Sequence, residues 1–238
     1  MKRYVTKLPV LLLFLLFVIP ASYAQQFANT GSGSAYPNTI EQEPIYRGAE
    51  YRLFPFTTVK GIPWFAGDTL SNGKVTYYGR RYDNVPLMYD QTSDELITVD
   101  LSGNMMIRMY SPKVDSFFIH DSHFVFISDT ANALRNGFWE VLNGGKTKLL
   151  KREVKTIRNR IIDSKIARVI QSQIFYRLGD SGAWHEVSGK EDILNVFSNK
   201  KEPVQAFMKS NRKRFRKAGF ETMLKETAAF YNELQGRQ

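Results

Sequence analysis

The chain has 238 residues, of which 43% are hydrophobic, and its formal net charge is +10. It contains no cysteine, which excludes disulfide bonds, thiolate metal ligands and cysteine nucleophiles, and which makes a lipoprotein anchor unexpected. The apolar content suffices for one sizeable core or two small ones, and the positive charge favours an acidic partner or an anionic surface.

Residues 1–24 have the pattern of a cleaved signal peptide. Lys2 and Arg3 form a basic start, residues 8–19 are almost entirely apolar, and Ala24 completes a cleavage site of small residues. The apolar run is short for a membrane span. We therefore expect an exported protein, periplasmic or associated with the outer membrane, with no transmembrane segment after cleavage.

Residues 25–45 are small and polar, which predicts a flexible leader. Residues 46–187 then predict an antiparallel β domain, because strand-forming runs recur at intervals of about ten residues between short turns. Asn72-Gly73 is typical of a hairpin turn before the first of these strands. The predicted strands are 74–78, 85–89, 95–101, 105–110, 114–119, 123–128, 173–178 and 183–187.

Residues 137–157 predict a strand–turn–strand hairpin at the centre of the chain. The turn falls at Asn143-Gly144-Gly145, because glycine readily adopts the positive φ that a close turn needs. The residues 161–170 that follow are ambiguous, since Ile162 and Ile166 fit an apolar helical stripe as well as a strand.

Residues 188–238 predict a C-terminal helical segment packed on the β domain. Ser188 and Glu191 have the spacing of a capping box, Pro203 suits the first turn of a second helix, and Gly219 separates that helix from a third. Apolar residues recur at spacings of three and four, as in helices that bury one face. The predicted buried stripes contain Ile193, Leu194, Phe197, Val204, Phe207, Met208, Phe215, Phe220, Met223, Leu224, Thr227, Tyr231 and Leu234.

Residue types that carry catalysis or bind metals form no specific motif. His120 and His123 would bind a metal only if their imidazoles converged with a third ligand, and a turn between two strands explains the same spacing. A group of early carboxylates would suit glycan hydrolysis only if two of them faced one cleft, and aspartate is also common in turns. We therefore predict no catalytic residue, metal or cofactor. The carboxylates are Asp83, Asp90, Asp94, Glu95 and Asp100.

Basic and aromatic residues are the candidates for a binding surface. An amphipathic basic helix can dock on an acidic partner or lie on an anionic membrane, and exposed aromatic rings can bind sugars or peptides. A solvated helix face and tyrosines buried in the core are the structural alternatives. The candidate binding residues are Lys151, Arg152, Lys209, Arg212, Lys213, Arg216, Tyr77, Tyr82 and Tyr89.

Four short motifs are spread along the chain: Tyr-Tyr-Gly (77–79), Leu-Met-Tyr-Asp (87–90), Gly-Phe-Trp-Glu-Val-Leu-Asn-Gly-Gly (137–145) and Phe-Tyr-Asn-Glu-Leu (230–234). With these motifs, residues 61–234 resemble a group of uncharacterised secreted proteins of Bacteroidota. The resemblance implies a location in the cell envelope and no particular activity.

The sequence thus predicts an α+β protein: an antiparallel β-meander, as a sheet, a sandwich or a partly open barrel, followed by a short C-terminal helical tail. We expect an exported, non-enzymatic binding or accessory protein of the bacterial cell envelope that docks on a protein partner, not on nucleic acid. Two alternatives stay open. One is binding of anionic lipid or polysaccharide through the basic C-terminal helix, and the other is hydrolysis of envelope glycan.

Overall fold

The structure is a computed structural model that describes residues 43–52, 59–128, 136–180 and 183–236. The predicted signal peptide, and the predicted leader up to residue 42, lie outside the described residues. Within these ranges the chain forms one open, mostly antiparallel sheet of twelve strands, followed by four α-helices. The predicted α+β class is confirmed, in its open-sheet form.

All the described strands precede the four α-helices in the chain. The strands are β1 Ala49–Glu50, β2 Val59–Lys60, β3 Ser71–Tyr77, β4 Arg80–Asp90, β5 Glu95–Val99, β6 Met106–Arg108, β7 Val114–Ile119, β8 Ser122–Ile127, β9 Gly137–Val141, β10 Lys148–Ile162, β11 Lys165–Asp180 and β12 Ala183–Glu186. The helices are α1 Lys190–Val196, α2 Lys201–Ser210, α3 Arg212–Ala218 and α4 Phe220–Gly236.

The sheet has the strand order β1-β6-β5-β4-β3-β7-β8-β9-β10-β11-β12. Most neighbours in this order are consecutive in the chain and antiparallel, as expected when short turns join the strands. The neighbours β1–β6 and β3–β7 are antiparallel but not consecutive, and β2 pairs in parallel with Arg168 and Val169 of β11.

An aromatic cluster forms the core beneath strands β3 to β9. The ring of Tyr89 lies 5.4 Å from Phe117, 5.3 Å from Phe124 and 5.6 Å from Phe138, all in edge-to-face geometry. The four side chains are buried. Edge-to-face contacts of this kind add to the stabilisation that burial of the rings already provides.

A second core lies where the helices cover the base of β10 and β11. Leu149 and Leu178 of these strands are fully buried against the helices, together with Leu224 of α4. Phe197 and Tyr231 stack at a centroid distance of 4.0 Å and join α1 to α4. The predicted stripes are confirmed as the packed helix faces: most of their residues are buried, and Leu194, Phe207, Phe220 and Leu234 are half-buried.

The predicted turn at Asn72-Gly73 is wrong, because both residues lie inside β3. Gly73 pairs with Val85 on one side and Ile119 on the other. A Cβ atom at Gly73 would lie 2.3 Å from the carbonyl oxygen of Phe118, so glycine is required here for the close approach of β7. The turn between β3 and β4 lies instead at residues 78–79, both with positive φ.

The start of α1 is capped by a different residue from the one predicted. Asp192, not Glu191, accepts hydrogen bonds from the backbone N–H groups of Ser188 at 2.8 Å and Gly189 at 3.0 Å. The Ser188 hydroxyl donates to the same carboxylate oxygen at 3.0 Å. The helix start and its capping carboxylate therefore both lie one residue further along the chain than predicted, with Gly189 as the N-cap.

The central hairpin is confirmed, with a wider turn than predicted. Strands β9 and β10 are joined through Leu142 and Leu149, whose N–H···O bond is 2.9 Å long. The side-chain oxygen of Asn143 accepts from the N–H of Leu149 at 2.5 Å, and Asn232 of α4 accepts from the N–H of Thr147 at 2.9 Å. The last helix thus braces the loop.

The last three residues of the predicted leader belong to the folded part of the chain. Ile45 is 3% exposed and packs in the aromatic core. Glu43 accepts hydrogen bonds from Arg80 at 2.5 Å and from the Tyr82 hydroxyl at 3.0 Å. The fold therefore begins before residue 46, the expected boundary.

Candidate binding surface

The longest hairpin of the sheet is formed by β10 and β11. Its register is continuous from Lys148↔Gly179 to Ile162↔Lys165. Asp163 and Ser164 form the turn, with φ values of 50° and 59°, as in the tight turns preferred between antiparallel strands. The ambiguous residues 161–170 are therefore strand and turn, not helix.

The distal part of this hairpin, residues 156–171, is here called the arm. Before the arm, β10 is held on its outer edge by β9 at Leu150 and Lys151. The N–H of Lys155 then donates to the carbonyl of Gln91 at 3.1 Å, and its ammonium group donates to the carbonyl of Trp64 at 3.0 Å. Beyond Lys155, β10 pairs with no described strand other than β11.

The arm has one face rich in isoleucine. Residues paired across two antiparallel strands lie on the same face, and successive residues alternate between faces. The pairs Ile157↔Ile170 and Ile161↔Ile166 therefore share one face, with Asn159↔Arg168 between them. Ile161 is 79% exposed and Ile166 is 78% exposed, whereas Ile157 is 37% exposed.

The opposite face of the arm is cationic. It carries Arg158 and Arg160 on β10, and Lys165 at the start of β11. Both arginines and the lysine are exposed, and none of the three forms an ion pair with a residue in the described part of the chain. The arm thus combines an exposed apolar face with a positive one.

The first two predicted binding residues, Lys151 and Arg152, are engaged inside the protein. Lys151 forms an ion pair of 2.9 Å with Glu221 of α4. Arg152 forms an ion pair of 2.9 Å with Asp94 and donates to the carbonyl of Asn136 at 2.8 Å. Both cations hold β10 to neighbouring elements instead of presenting a charge to a ligand.

The three predicted tyrosines do not form an exposed face. Tyr77 and Tyr89 are each 2% exposed and belong to the aromatic core, so their rings are closed to a ligand at the surface. Strand alternation explains this, because both lie on the inward side of their strands. Tyr82 is half-buried and donates to Glu43.

The predicted basic residues of the C-terminal helices are exposed. Lys209 lies in the last turn of α2, and Arg212, Lys213 and Arg216 lie in α3 around the buried Phe215. None of these four cations forms an ion pair with a described residue. They make a second positive surface, which is separate from the arm in sequence.

The two histidines considered as metal ligands, His120 and His123, each contact a different side chain. His120 lies in the turn before β8, with positive φ, and its Nε2 is 3.3 Å from the Ser71 hydroxyl. His123 stacks on Phe118 with a centroid distance of 4.2 Å, and burial, together with Lys148, lowers the pKa of its imidazole. Among the described residues, no group of three histidines or carboxylates could hold a metal ion.

The early carboxylates are engaged in turns and ion pairs. Asp90 accepts from the Tyr51 hydroxyl at 2.8 Å and from the N–H and hydroxyl of Thr92 at 2.7 and 2.6 Å. Asp94 binds Arg152, as described above. Of the others, Asp83 pairs with Arg81, Glu95 with Arg108, and Asp100 accepts from the turn that follows it.

A cavity of about 480 Å³ lies at the base of the isoleucine face. Ile157 forms one wall, and the other walls are mostly polar residues, among them Tyr51, which follows β1, and Asp90, the last residue of β4. The Tyr51 hydroxyl accepts from Trp64 Nε1 at 3.0 Å and donates to Asp90, and burial raises its pKa, so it stays a neutral donor. The cavity extends the surface of the arm towards the body of the protein.

A smaller cavity of about 340 Å³ lies on the other side of the hairpin, near its base. Trp139 and Phe175 line it together with Arg152 and Arg177. The Arg177 guanidinium lies 4.5 Å from the centroid of the buried Trp139 ring, a cation–π contact. These groups contact one another, so the cavity is bounded by groups that stabilise the protein itself.

The sequence pattern predicted the hairpin of the arm only in part. The alternation from Ile157 to Ile161 is a period-two pattern, but Ile162, Ile166, Val169 and Ile170 also match a helical spacing. Asp163-Ser164 between two strand-forming runs was the signal that distinguishes a hairpin from a helix.

No helix of the described residues is both long and apolar enough to cross a membrane. Comparison with protein-family models, with curated proteins and with solved structures finds no match to this chain. Its function is therefore inferred from its own residues.

Proposed function

We propose that this chain is an exported binding protein of the cell envelope that docks on an acidic protein partner through the arm. The observation that carries the proposal is the pair Ile161↔Ile166, whose side chains are 79% and 78% exposed. Apolar side chains concentrated on one exposed surface mark interaction sites, whereas isolated ones are ordinary. Export rests on the signal-peptide pattern of residues 1–24.

Charge indicates which kind of partner fits the arm. Residues 156–171 contain Arg158, Arg160, Lys165 and Arg168 but only one acidic residue, Asp163. A partner with carboxylates around an apolar patch would match both faces and would associate faster through electrostatic steering. A second copy of this chain would bring the same positive charges together.

The proposal is tested with a photo-crosslinking amino acid placed at Ser164, the tip of the arm, in the cell that produces the protein. The control carries the same amino acid at Tyr110, which is 59% exposed but lies outside the arm. We expect one adduct of defined size with an acidic protein from position 164 and none from position 110. Equal adducts from both positions would contradict docking through the arm.

Two variants establish whether the adduct depends on the arm's chemistry. I161S/I166S removes the apolar pair, and R158E/R160E reverses the charge of the opposite face. All four substituted residues are exposed, so we expect the thermal unfolding of each variant to stay close to that of the parent protein. Loss of the adduct in both variants supports the proposal, and an unchanged adduct in both overturns it.

A second candidate function is favoured by the four exposed cations Lys209, Arg212, Lys213 and Arg216. They suit an anionic lipid or polysaccharide surface, for which binding weakens steeply with salt. Sedimentation with phosphatidylglycerol vesicles at low and high salt tests it, with a variant in which all four are alanine. Binding that this variant retains would argue against the second candidate.

A further inference from the structure

The outer edge of the arm presents backbone groups that face away from β11. In an antiparallel ladder the N–H and C=O groups of successive residues point alternately to one neighbour and to the other. The direction in β10 is fixed by three observed contacts on its outer edge. These are the C=O of Leu149 with Leu142, the C=O of Glu153 with the Gln91 side chain, and the N–H of Lys155 with the Gln91 backbone.

All three contacts involve odd-numbered residues of β10. The same alternation continued along the strand directs the N–H and C=O groups of Ile157, Asn159 and Ile161 to the outer edge. No described residue pairs with these three on that edge. The corresponding edge of β11 is covered at Arg168 and Val169 by β2.

We propose that the edge from Ile157 to Ile161 receives an extended segment of the protein partner as an additional β-strand. The proposal rests on docking through the arm and specifies how the partner binds. Strand addition uses main-chain hydrogen bonds for affinity and alternate side chains for specificity. Strand addition requires a strand edge that no other strand covers, and among the described residues the outer edge of the arm meets this requirement.

The two faces of the arm define the chemistry of the added segment. Its residues alternate between the faces, so every second one lies beside Ile157 and Ile161 and the others lie beside Arg158 and Arg160. The matching segment alternates apolar and acidic residues. Spanning residues 157–161 requires about 13 Å of extended chain, which is about five residues.

A second copy of the arm is a poor occupant of this edge. In a symmetric antiparallel pairing, Asn159 of one copy would lie opposite Asn159 of the other. Arg158 of each copy would then lie opposite Arg160 of the other, which makes two arginine pairs. Like charges placed directly opposite each other destabilise a strand pair. The two arginines therefore select an acidic segment and oppose self-association of the edge.

The direct test is NMR titration of the full mature protein with the peptide Thr-Val-Glu-Val-Glu-Val-Thr. We expect the largest shifts at the amides of Ile157, Asn159 and Ile161. The isomer Thr-Val-Val-Val-Glu-Glu-Thr should bind at least about tenfold more weakly, because its order breaks the alternation. Equal binding of the two peptides, or shifts centred elsewhere, would overturn strand addition.

A single substitution separates the mode of binding from the docking itself. Asn159→Pro removes an outward N–H and fills the edge with the proline ring, a position that edge strands tolerate. Asn159→Thr is the matched control. We expect the Ser164 adduct to disappear with Asn159→Pro and to persist with Asn159→Thr.

The possible outcomes distinguish the two proposals. If Asn159→Pro keeps the adduct while I161S/I166S loses it, docking through the arm stands and strand addition is wrong. If all three variants keep it, both proposals are wrong. Binding to phosphatidylglycerol vesicles that Asn159→Pro does not alter, with no peptide binding, would likewise contradict strand addition and indicate a membrane surface.

If Asn159→Pro does not fold, modified peptides test strand addition in its place. N-methyl groups on the amides of alternate residues block one edge of the peptide only. We expect one of the two alternating methylation patterns to abolish binding and the other to preserve it. Equal tolerance of both patterns would overturn strand addition.

Discussion

Arg152 and Asp94 form an ion pair of 2.9 Å that joins the strand carrying the arm to the turn between β4 and β5. Asp94 also accepts from the Tyr89 hydroxyl at 2.6 Å, and Arg152 donates to the carbonyl of Asn136 at 2.8 Å. The base of the arm is therefore fixed to the aromatic core by a network of largely buried groups, while the arm itself is exposed on both faces.

Replacing Arg152 by methionine should destabilise the protein by about 3 kcal/mol, because it leaves the largely buried Asp94 carboxylate without its counter-ion. Urea unfolding at pH 7 measures the change in the free energy of unfolding. Arg160→Met is the control, since this exposed arginine of the arm should change that free energy by less than about 0.5 kcal/mol. Equal effects of the two substitutions would contradict the structural role of Arg152.

The same variant should show a characteristic dependence on pH. Burial raises the pKa of the Asp94 carboxyl above its ordinary value, and Arg152 and Tyr89 act in the opposite direction. Without Arg152 the pKa rises further, so the folded state holds the proton up to a higher pH than the unfolded state. The stability of the variant is then greatest at low pH and falls as the pH rises through the pKa of Asp94 in the folded state. We expect the destabilisation of Arg152→Met to be smaller at pH 4 than at pH 7.

At the junction of sheet and helices, the pKa of Glu221 is shifted in the opposite direction to that of Asp94. Burial acts to raise its pKa, but the bonds from Lys151 at 2.9 Å and Tyr176 at 3.0 Å outweigh it and hold the pKa below its usual value. Its stabilisation is therefore present at neutral pH and is lost as the pH falls through the folded pKa. Because the group is partly exposed, Glu221→Gln should cost only about 1 kcal/mol at pH 7. Urea unfolding at pH 7 and at pH 3 measures the cost of the substitution, which should be smaller at pH 3 than at pH 7.

Periodicity predicted most of the fold, because burial of one face is a local property of a helix or strand. Strand β7 and the helix break at Gly219 fall where their residue patterns indicate. The turn at Asn72-Gly73 could not be distinguished from a strand, since the reason for Gly73 is the backbone of β7, more than forty residues away. Contacts between distant residues leave no local signal.

Gly73 accordingly gives a sharp test of the sheet. Gly73→Ala should cost about 2 kcal/mol, because the new Cβ would meet the Phe118 carbonyl at 2.3 Å and a methyl of Leu87 at 2.8 Å. Gly144→Ala is the matched control, as nothing lies within 4 Å of a Cβ there. Thermal and urea unfolding of the two variants should differ clearly. A neutral Gly73→Ala would be inconsistent with the close approach of β7.

The candidate surface was harder to predict than the fold. Charge and residue type alone do not distinguish Arg152 from Arg158, although the first is largely buried in an ion pair and the second is exposed on the arm. Likewise Tyr77 is in the core whereas Tyr78, its neighbour, is 55% exposed. Which side of a strand faces the core depends on the whole sheet, so accessibility could not be derived from the residues themselves.

Hydrogen exchange tests the geometry of the arm without any partner. The amides of Arg158 and Arg160 point towards β11 and are hydrogen-bonded, whereas those of Ile157, Asn159 and Ile161 point outward. We expect the outward amides to exchange at least about tenfold faster than the inward ones in NMR measurements, because only the latter require opening of the hairpin. The amide of Lys155, bonded to Gln91, is the internal control and should be protected although it lies on the outer edge. Uniform protection along residues 157–161 would mean that the edge is already covered, and strand addition would then need a different site.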